Sequence, residues 1–263
     1  MIQINDLVTY YFRQGRSNAA VNRVRLRIPQ GCIFAVVGES GCGKTTLGLS
    51  ITRLINPKDG EIAEGAVVFE DKNILKFSEE RLRKAIRGKK ISYVFQEPAS
   101  SLNPVFTIGE QIAEALLVHK AANKKNVKAK VLEALEEARI SDPNRVIGLY
   151  PHELSGGMKQ RAMIAMAVSM RPKLLIADEP TTALDVATED EILQLLVTLK
   201  NELSLSVLLI THDMRIVKKV ADKIAVMYKG KIVEVGDMAK VLNNPKHEYT
   251  KLLIDSMPEN LKL

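Results

Sequence analysis

Residues 38–46 have the types and spacing of a loop that binds phosphate. The stretch reads GESGCGKTT and fits the pattern GxxxxGK[ST]. Glycines let backbone N–H groups turn towards a phosphate, and a helix starting directly after the loop adds partial positive charge. A lysine here reaches the β- and γ-phosphates of a nucleotide, and the next hydroxyl is a ligand for Mg²⁺. The predicted nucleotide-binding residues are therefore Gly38, Glu39, Ser40, Gly41, Cys42, Gly43, Lys44, Thr45 and Thr46.

Two adjacent carboxylates supply what such a loop lacks. Asp178 and Glu179 directly follow residues 173–177, an apolar run that predicts a second buried strand. One carboxylate at such a strand end can anchor Mg²⁺ beside the hydroxyl of Thr45, and a second can polarise water. We therefore expect one acid of this pair to bind the metal and the other to act on the water.

Gln96 and His212 also come directly after predicted strands, at residues 91–95 and 206–210. Ligands of parallel sheets collect at the carboxyl ends of the strands, so both side chains are expected to face the γ-phosphate. Taken alone, His212 is more often an ordinary surface or hydrogen-bonded histidine. Its position after a strand is what makes it a candidate.

The elements that must position these residues alternate between strand and helix. Residues 32–37 are a continuous apolar run, typical of a strand buried on both faces of a parallel sheet, and residues 47–54 predict the helix after the loop. Apolar residues at helical spacing indicate a further helix around residues 192–199. Short strands are predicted at residues 66–69, 91–95, 173–177 and 206–210.

Three other stretches have patterns of their own. Residues 2–28 predict antiparallel strands, because apolar and basic residues alternate in the segment Arg23–Ile28. Residues 107–139 have a helical period of apolar residues, and another helix is expected after Ser155. A hairpin is predicted at residues 224–235, around the turn Lys229–Lys231.

Composition limits the class of protein. The chain has 263 residues and a formal net charge of +7, which suits a nucleic acid, an anionic membrane surface or a phosphate-rich ligand. It has two cysteines without the spacing of a disulfide scaffold or metal site, which favours a reducing cytoplasm. No signal peptide and no run of about eighteen apolar residues is found, so we expect any membrane role to require partners.

Two local features leave alternatives open. Tyr10, Tyr11 and Phe12 could be ordinary strand core or a platform for stacking a base, and core is the favoured interpretation from the sequence. The basic segment 81–90 favours a solvated face over a nucleic-acid groove, because no aromatic residues interleave with its charges. No nucleic-acid partner is therefore predicted.

At residues 154–158 the sequence LSGGM is similar to the LSGGQ signature of ATP-binding-cassette (ABC) ATPases, with methionine in place of the final glutamine. The ordered motifs GESGCGKTT, YVFQEP, LSGGMKQR, LLIADEP, TTALD and LLITHD resemble that family over nearly the whole chain.

The resemblance implies a role for each matching residue. Gln96 would be the Q-loop glutamine and, with Thr45 and Asp178, a ligand of Mg²⁺; Glu179 would be the catalytic base and His212 the switch histidine. Tyr11, with Tyr10 as second choice, would stack on the adenine of ATP. The remaining implied ATP contacts are Ser155, Gly156, Gly157 and Asp185.

The resemblance also implies an architecture. We expect an α/β P-loop core with a mixed, largely parallel sheet, an antiparallel β subdomain and an inserted α-helical subdomain. The core would comprise residues 1–96 and 171–263 of a single domain spanning 1–263, with the helical insertion at 97–170. Two such ATPase subunits, identical or paralogous, would sandwich two ATP molecules.

Residues 96–112 and the ending at 245–253 look like the peptide and nickel importer branch of the family. This implies two transmembrane permease subunits, an indirect solute-binding partner outside the cell, and a peripheral position on the cytoplasmic face of the membrane. Many peptide members have a longer C-terminal extension, some with cysteines that hold an iron–sulfur cluster. This chain has no cysteine after Cys42, which favours nickel-type members as the nearer comparison.

Three other functional classes share part of these motifs. A soluble cassette of DNA repair or translation would have a coiled-coil insertion or two cassettes in one chain, and neither is found. A catalytically inactive subunit is disfavoured because Lys44, Glu179 and His212 are present. A cassette of phosphonate metabolism resembles the same branch, and only neighbouring genes would separate it.

Overall fold

The computed structural model describes residues 1–13 and 16–256. The chain divides into two compact units, the first made of Met1–Leu82 and Leu208–Leu263 and the second of Arg83–Val207. The strands are β1 (Ile2–Arg13), β2 (Arg16–Ile28), β3 (Ile33–Val37), β4 (Gly60–Phe69), β5 (Lys72–Asn73), β6 (Ile91–Val94), β7 (Leu174–Asp178), β8 (Ser206–Thr211), β9 (Lys223–Tyr228) and β10 (Lys231–Asp237).

Helices occur in both units. They are α1 (Lys44–Thr52), α2 (Glu79–Ala85), α3 (Pro98–Ser101), α4 (Ile108–Val118), α5 (Val127–Glu137), α6 (Pro143–Val146), α7 (Gly156–Val168), α8 (Val186–Glu202), α9 (Met214–Val220), α10 (Met238–Asn243) and α11 (Glu248–Asp255). Among the described residues, no helix combines the length and the apolar character needed to cross a membrane.

An antiparallel sheet with strand order β2-β1-β4-β5 forms one part of the first unit. Strand β2 confirms the predicted alternation, because Val24, Leu26 and Ile28 are buried while the arginines between them are exposed. Strand β1 pairs with β2 on one side and β4 on the other. The basic side chains therefore form a wet face opposite the apolar core.

The first unit also contains strands in the order β10-β9-β3-β8. Every residue of β3 is buried, as the apolar run predicts, and β3 pairs with β9 in parallel. Strands β9 and β10 form the predicted antiparallel hairpin. Helices α9, α10 and α11 add buried side chains to the core around β3 and β9, including Val217, Val241 and Tyr249.

The second unit pairs β6 with β7 in parallel and contains helices α3 to α8. The predicted apolar stripes of α4 and α5 are confirmed, because Ile112, Leu116, Val131 and Leu135 are buried in one cluster to which α7 also contributes. Helix α4 begins with a capping box, in which Thr107 accepts a hydrogen bond from the N–H of Glu110. The boundaries 97 and 170 of a helical insertion stay a prediction.

Candidate functional site

All nine predicted phosphate-binding residues lie in the first unit, in the loop that follows β3 and in the first turn of α1. Lys44 is 5% exposed, and its ammonium group donates hydrogen bonds to the carbonyl oxygens of Gly38 at 2.7 Å and Glu39 at 2.9 Å. Helix α1 starts at Lys44, three residues earlier than the predicted start. The helix N-terminus therefore begins inside the motif, as an anion site requires.

Two glycines of the loop occupy positions where a side chain would collide with neighbouring backbone. Gly43 has φ +110°, and a Cβ there would lie 2.0 Å from the carbonyl oxygen of Ala20 in β2. A Cβ on Gly38 would lie 2.2 Å from the carbonyl oxygen of Met227 in β9. Backbone from two different sheets thus presses directly against the loop.

Cys42 forms part of the same turn. Its N–H donates to the carbonyl oxygen of Glu39 at 3.2 Å, and its own carbonyl accepts from the N–H of Gly230 at 2.9 Å. Burial raises the pKa of the Cys42 thiol, which disfavours the reactive thiolate. Ser40, Gly41 and Thr45 are exposed, so the open side of the loop has accessible hydroxyl and backbone groups.

The predicted acidic pair lies in the second unit, at the end of β7. Asp178 is 2% exposed and accepts a hydrogen bond of 2.7 Å from the hydroxyl of Tyr93. One carboxylate oxygen of Glu179, Oε2, accepts from Gln96 Nε2 and Thr182 Oγ1, both at 3.0 Å. The structure therefore brings together Gln96 and the two acids, which the sequence predicted at the ends of two strands.

Glu179 has φ +44°, in the left-handed region that a glutamate rarely adopts. Such conformations cost on the order of 1–3 kcal/mol and persist where the surroundings enforce them. The hydrogen bonds from Gln96 and Thr182 are two such constraints. The carboxylate is thus held in one orientation by two neighbouring side chains.

Ser155, Gly156 and Gly157 begin α7, as the sequence predicts for a helix after Ser155. The Ser155 hydroxyl accepts from the N–H of Met158 at 3.3 Å. A Cβ on Gly157 would lie 2.6 Å from Cγ2 of Thr188 in α8. The start of α7 is therefore packed against the start of α8.

Asp185 caps α8, and it accepts hydrogen bonds from the N–H of Thr188 at 3.0 Å and from its hydroxyl at 2.7 Å. The hydrogen bond from the Thr188 side chain holds the pKa of the Asp185 carboxyl below its usual value. Since Thr188 also contacts Gly157, one residue links the predicted signature segment to Asp185.

Tyr11 and His212 belong to the first unit. Tyr11 is half-buried in β1 and pairs with Asn18 and Gly60 on the neighbouring strands. His212 is exposed and follows β8 directly. The roles of Tyr11 in stacking and of His212 in sensing phosphate stay predictions.

The sequence profile of the ABC transporter family matches residues 21–182, which includes the phosphate loop, Gln96, the signature segment and the acidic pair. The chain belongs to the ABC transporter family. A second profile, the C-terminal region of oligopeptide and dipeptide transporters, matches residues 233–262 of this ABC protein.

Curated relatives and a solved structure agree with that assignment. The chain is 42% identical over 259 residues to the probable peptide ABC transporter ATP-binding protein y4tR of Sinorhizobium fredii, covering 98% of this chain and 77% of the relative. It is 45% identical over 258 residues to the oligopeptide transport ATP-binding protein AppD of Bacillus subtilis, covering 98% and 78%.

A solved structure of the ATP-binding cassette MJ0796, a dimer in a post-hydrolysis state bound to ADP and Pi, matches with a TM-score of 0.80 and 29% identity. The match covers 90% of this chain and 99% of that one. The predicted fold class is confirmed, and the chain is an ABC ATPase that binds and hydrolyses ATP. The soluble and phosphonate-related rivals are not favoured, because the two relatives named above are transport proteins of the peptide class.

Several contacting residues of this ABC ATPase carried no assignment from the sequence. Tyr93 and Thr182 lie inside recognised motifs but were not predicted to hold the two acids. Thr188 was not singled out, and Tyr249 was quoted only as part of a C-terminal resemblance. The period of a strand or helix indicates which residues are buried, but it does not indicate which hydroxyl meets which carboxylate.

The residues present fit a magnesium–nucleotide complex. Hard divalent cations prefer oxygen ligands, and Thr45 and Asp178 offer a hydroxyl and a carboxylate. The Lys44 ammonium and the glycine-rich turn provide donors for phosphate oxygens. A nucleotide site therefore agrees with the chemistry of each unit taken by itself.

Proposed function

We propose that this ABC ATPase is the ATP-hydrolysing subunit of an importer for peptides. The support is the match of residues 233–262 to the C-terminal region of oligopeptide and dipeptide transporters, together with the names of y4tR and AppD. Neither of these names mentions nickel. Peptides are therefore the better-supported cargo, and the expectation that nickel-type members are the nearer comparison gains no support.

The observation that carries the proposed ATP site is the position of the Lys44 ammonium, which is buried and held by the carbonyl oxygens of Gly38 and Glu39. A buried cation with only neutral acceptors is stabilised further by an anion placed beside it. The loop from Gly38 to Thr46 thus binds the phosphates of ATP, while Tyr11 stacks on the adenine.

Thr45, Asp178 and Gln96 hold Mg²⁺ in this proposal. When bound, the ion neutralises charge that develops on the β- and γ-phosphate oxygens. The hydroxyl of Tyr93 donates to Asp178 Oδ2, and this bond fixes the orientation of the carboxylate. The protein contributes the orientation of these ligands.

Glu179 takes the proton of the attacking water. The hydrogen bonds from Gln96 and Thr182 to Oε2 orient this carboxylate towards its task. Gln96 thereby both orients the base and joins it to the metal. His212 contacts the γ-phosphate and reports its presence.

The site is completed by a second ATPase subunit, identical or paralogous. Ser155, Gly156 and Gly157 present a hydroxyl and a helix N-terminus, which suit the outer face of a γ-phosphate, and Asp185 lies beside them through Thr188. Two transmembrane permease subunits hold the pair at the cytoplasmic face of the membrane. An extracytoplasmic solute-binding protein acts on them indirectly, and no nucleic acid takes part.

The first test is the loss of ATP binding in Lys44→Ala, measured by calorimetry with Mg·ATP. The exposed residue Lys58, also in the first unit, provides a control of equal charge, Lys58→Ala. We expect tight binding to disappear only in Lys44→Ala. Equal affinity in both variants would remove the phosphate-loop assignment.

The second test mixes a Lys44→Ala chain with a Ser155→Arg chain. If sites are shared between subunits, one composite site of the mixed dimer has both lesions and the other has neither, so ATPase activity returns in part. Each variant alone should stay inactive. If light scattering shows mixed dimers but neither activity nor bound nucleotide is recovered, the shared site is wrong.

The cargo is tested in cells that lack this chain, by uptake of a radiolabelled oligopeptide and of radiolabelled nickel. Loss of peptide uptake, restored by the wild-type chain but not by Glu179→Gln, supports the peptide proposal. Loss of nickel uptake alone contradicts it.

Capture of the Glu179→Gln protein with Mg·ATP from membranes should recover two multi-spanning subunits.

A further inference from the structure

Helix α11 contacts the phosphate loop through one residue. The Tyr249 hydroxyl accepts a hydrogen bond of 2.9 Å from the backbone N–H of Glu39, 210 positions earlier in the chain. Tyr249 is 6% exposed, so water does not compete freely for this bond. The six ordered motifs that resemble the ABC family do not include this residue, which lies in the ending at 245–253.

The bonded N–H belongs to the peptide group that joins Gly38 to Glu39. The carbonyl oxygen of that same peptide group accepts the hydrogen bond of 2.7 Å from the Lys44 ammonium. The Tyr249 hydroxyl and the Lys44 ammonium therefore hold one peptide plane from opposite edges. A hydrogen bond at the N–H also polarises the carbonyl, which strengthens its attraction for the cation.

Tyr249 is itself held by His247 at the start of α11 and by the ring of Tyr228, and Glu234 anchors the segment before it. Its N–H donates to His247 Nδ1 at 3.1 Å, at the start of α11. The Glu234 carboxylate in β10 accepts from the N–H groups of Lys246 at 2.9 Å and His247 at 3.0 Å. The ring packs on Tyr228 of β9 with the centroids 4.2 Å apart.

We propose that Tyr249 is a positioning residue for ATP binding: its hydroxyl fixes the Gly38–Glu39 peptide and, through it, the Lys44 ammonium. The inference rests on the proposed role of Lys44 in binding phosphate. It assigns the C-terminal segment a part in the nucleotide site, because that segment sets the geometry of the loop without touching the ligand. Burial raises the pKa of Tyr249, which keeps the hydroxyl neutral in the physiological range.

The test is Tyr249→Phe, which keeps the ring, its packing on Tyr228 and most of its volume but removes the acceptor. The matched control is Thr250→Val, which removes a hydroxyl from the next, fully buried position of α11. The Thr250 hydroxyl makes no hydrogen bond with the loop and lies near the Glu234 carboxylate, so Thr250→Val also tests whether a disturbance around Glu234 alone alters the loop. Loss of stability in α11 would affect both variants, whereas loss of the loop contact affects only the first.

Two measurements distinguish a role of the Tyr249 hydroxyl in positioning the loop from a role of Tyr249 in packing alone. In Tyr249→Phe, we expect the Glu39 amide to exchange with deuterium at least roughly 10-fold faster, and the KM for ATP to rise roughly 3- to 10-fold, the range of one hydrogen bond. The kcat at saturating ATP should stay within about 2-fold, because bound ATP then holds the Lys44 ammonium in place of the lost bond. Thr250→Val should change neither amide exchange nor KM.

The proposal is overturned if Tyr249→Phe matches Thr250→Val in both amide exchange and KM. If Tyr249→Phe does not fold, amide hydrogen exchange in the nucleotide-free wild-type protein tests the contact. A protected Glu39 amide supports the proposal, and rapid exchange of that amide overturns it. Lys44→Ala distinguishes the two levels of inference. Lost ATP affinity in Lys44→Ala with normal behaviour of Tyr249→Phe rejects only the positioning role, and unchanged affinity in Lys44→Ala rejects the proposed function.

Discussion

The phosphate loop and the acidic segment at the end of β7 are held in place by different kinds of contact. The loop is fixed mainly through its backbone, by Ala20, Met227 and Gly230 against its turn and by Tyr249 on one of its N–H groups. The acidic segment is fixed through side chains, by Tyr93 on Asp178 and by Gln96 and Thr182 on Glu179.

The difference shows how each part can respond to nucleotide. Contacts of its backbone with three separate segments, β2, the β9–β10 hairpin and α11, hold the loop in one conformation, which suits a binding surface that must be ready before the ligand arrives. Side-chain hydrogen bonds of Glu179 can exchange one at a time without moving the strand. The loop is therefore suited to binding, and the acidic segment to a step that changes during turnover.

The largest difference between the two regions is expected when Glu179 is substituted. Glu179→Gln keeps size and hydrogen bonding but cannot take a proton, so the turnover rate should fall by roughly 10² to 10⁴, as is typical for loss of a general base. ATP binding should persist. The exposed Glu136 in the second unit provides the control Glu136→Gln, and steady-state ATPase assays with calorimetry give both quantities. Parental turnover in Glu179→Gln would place the base elsewhere.

If backbone contacts hold the loop in place, alanine at two of its glycines should lower the free energy of unfolding by different amounts. Gly43→Ala combines positive φ with a Cβ 2.0 Å from the Ala20 carbonyl, whereas Gly41→Ala has φ +80° and no heavy atom within 4 Å. We expect the free energy of unfolding to fall by about 2–5 kcal/mol for the first and about 1–2 kcal/mol for the second. Urea denaturation measures both, and equal losses would show that the Ala20 contact does not constrain the loop.

The side-chain contacts of the acidic segment predict a smaller loss. Tyr93→Phe removes the donor to Asp178, which is nearly buried, and should lower the free energy of unfolding by about 1.5–3 kcal/mol, the value of a hydrogen bond to a charged group. Tyr150→Phe, at a residue 39% exposed, is the control and should change it by less than about 0.5 kcal/mol. A loss as small as that of the control would mean that Asp178 is held by other groups.

The smallest effect concerns an exposed contact outside both regions. The hydrogen bond from Lys223, and then that from Lys240, lowers the pKa of Asp237 from 3.8 to about 2. Because the folded pKa is depressed, the carboxylate stabilises the fold above pH about 4, and this contribution is lost as the pH falls through about 2. Wild type and Asp237→Asn should therefore converge in urea unfolding midpoint across that window, and a constant difference would exclude the ionised contact.

The sequence predicted the elements around the site well, for reasons that are local. Strand β3 is a continuous apolar run and α7 starts at a serine cap, and both signals lie within a few neighbouring residues. The side-chain partners were not predictable in this way. Tyr93 and Asp178 are 85 positions apart, and Tyr249 and Glu39 are 210 apart, so only the folded topology brings each pair together.

The long reach of the loop's contacts has a consequence for synthesis on the ribosome. Residues 38–46 emerge early, but the backbone groups that brace them include Met227 and Gly230, and the hydroxyl on Glu39 comes from residue 249. Contacts between distant parts of a chain form late in folding because loop closure must precede them. A nascent chain should therefore carry the complete motif long before the loop is fully braced, and nucleotide should bind most tightly to chains translated through the C-terminal helix.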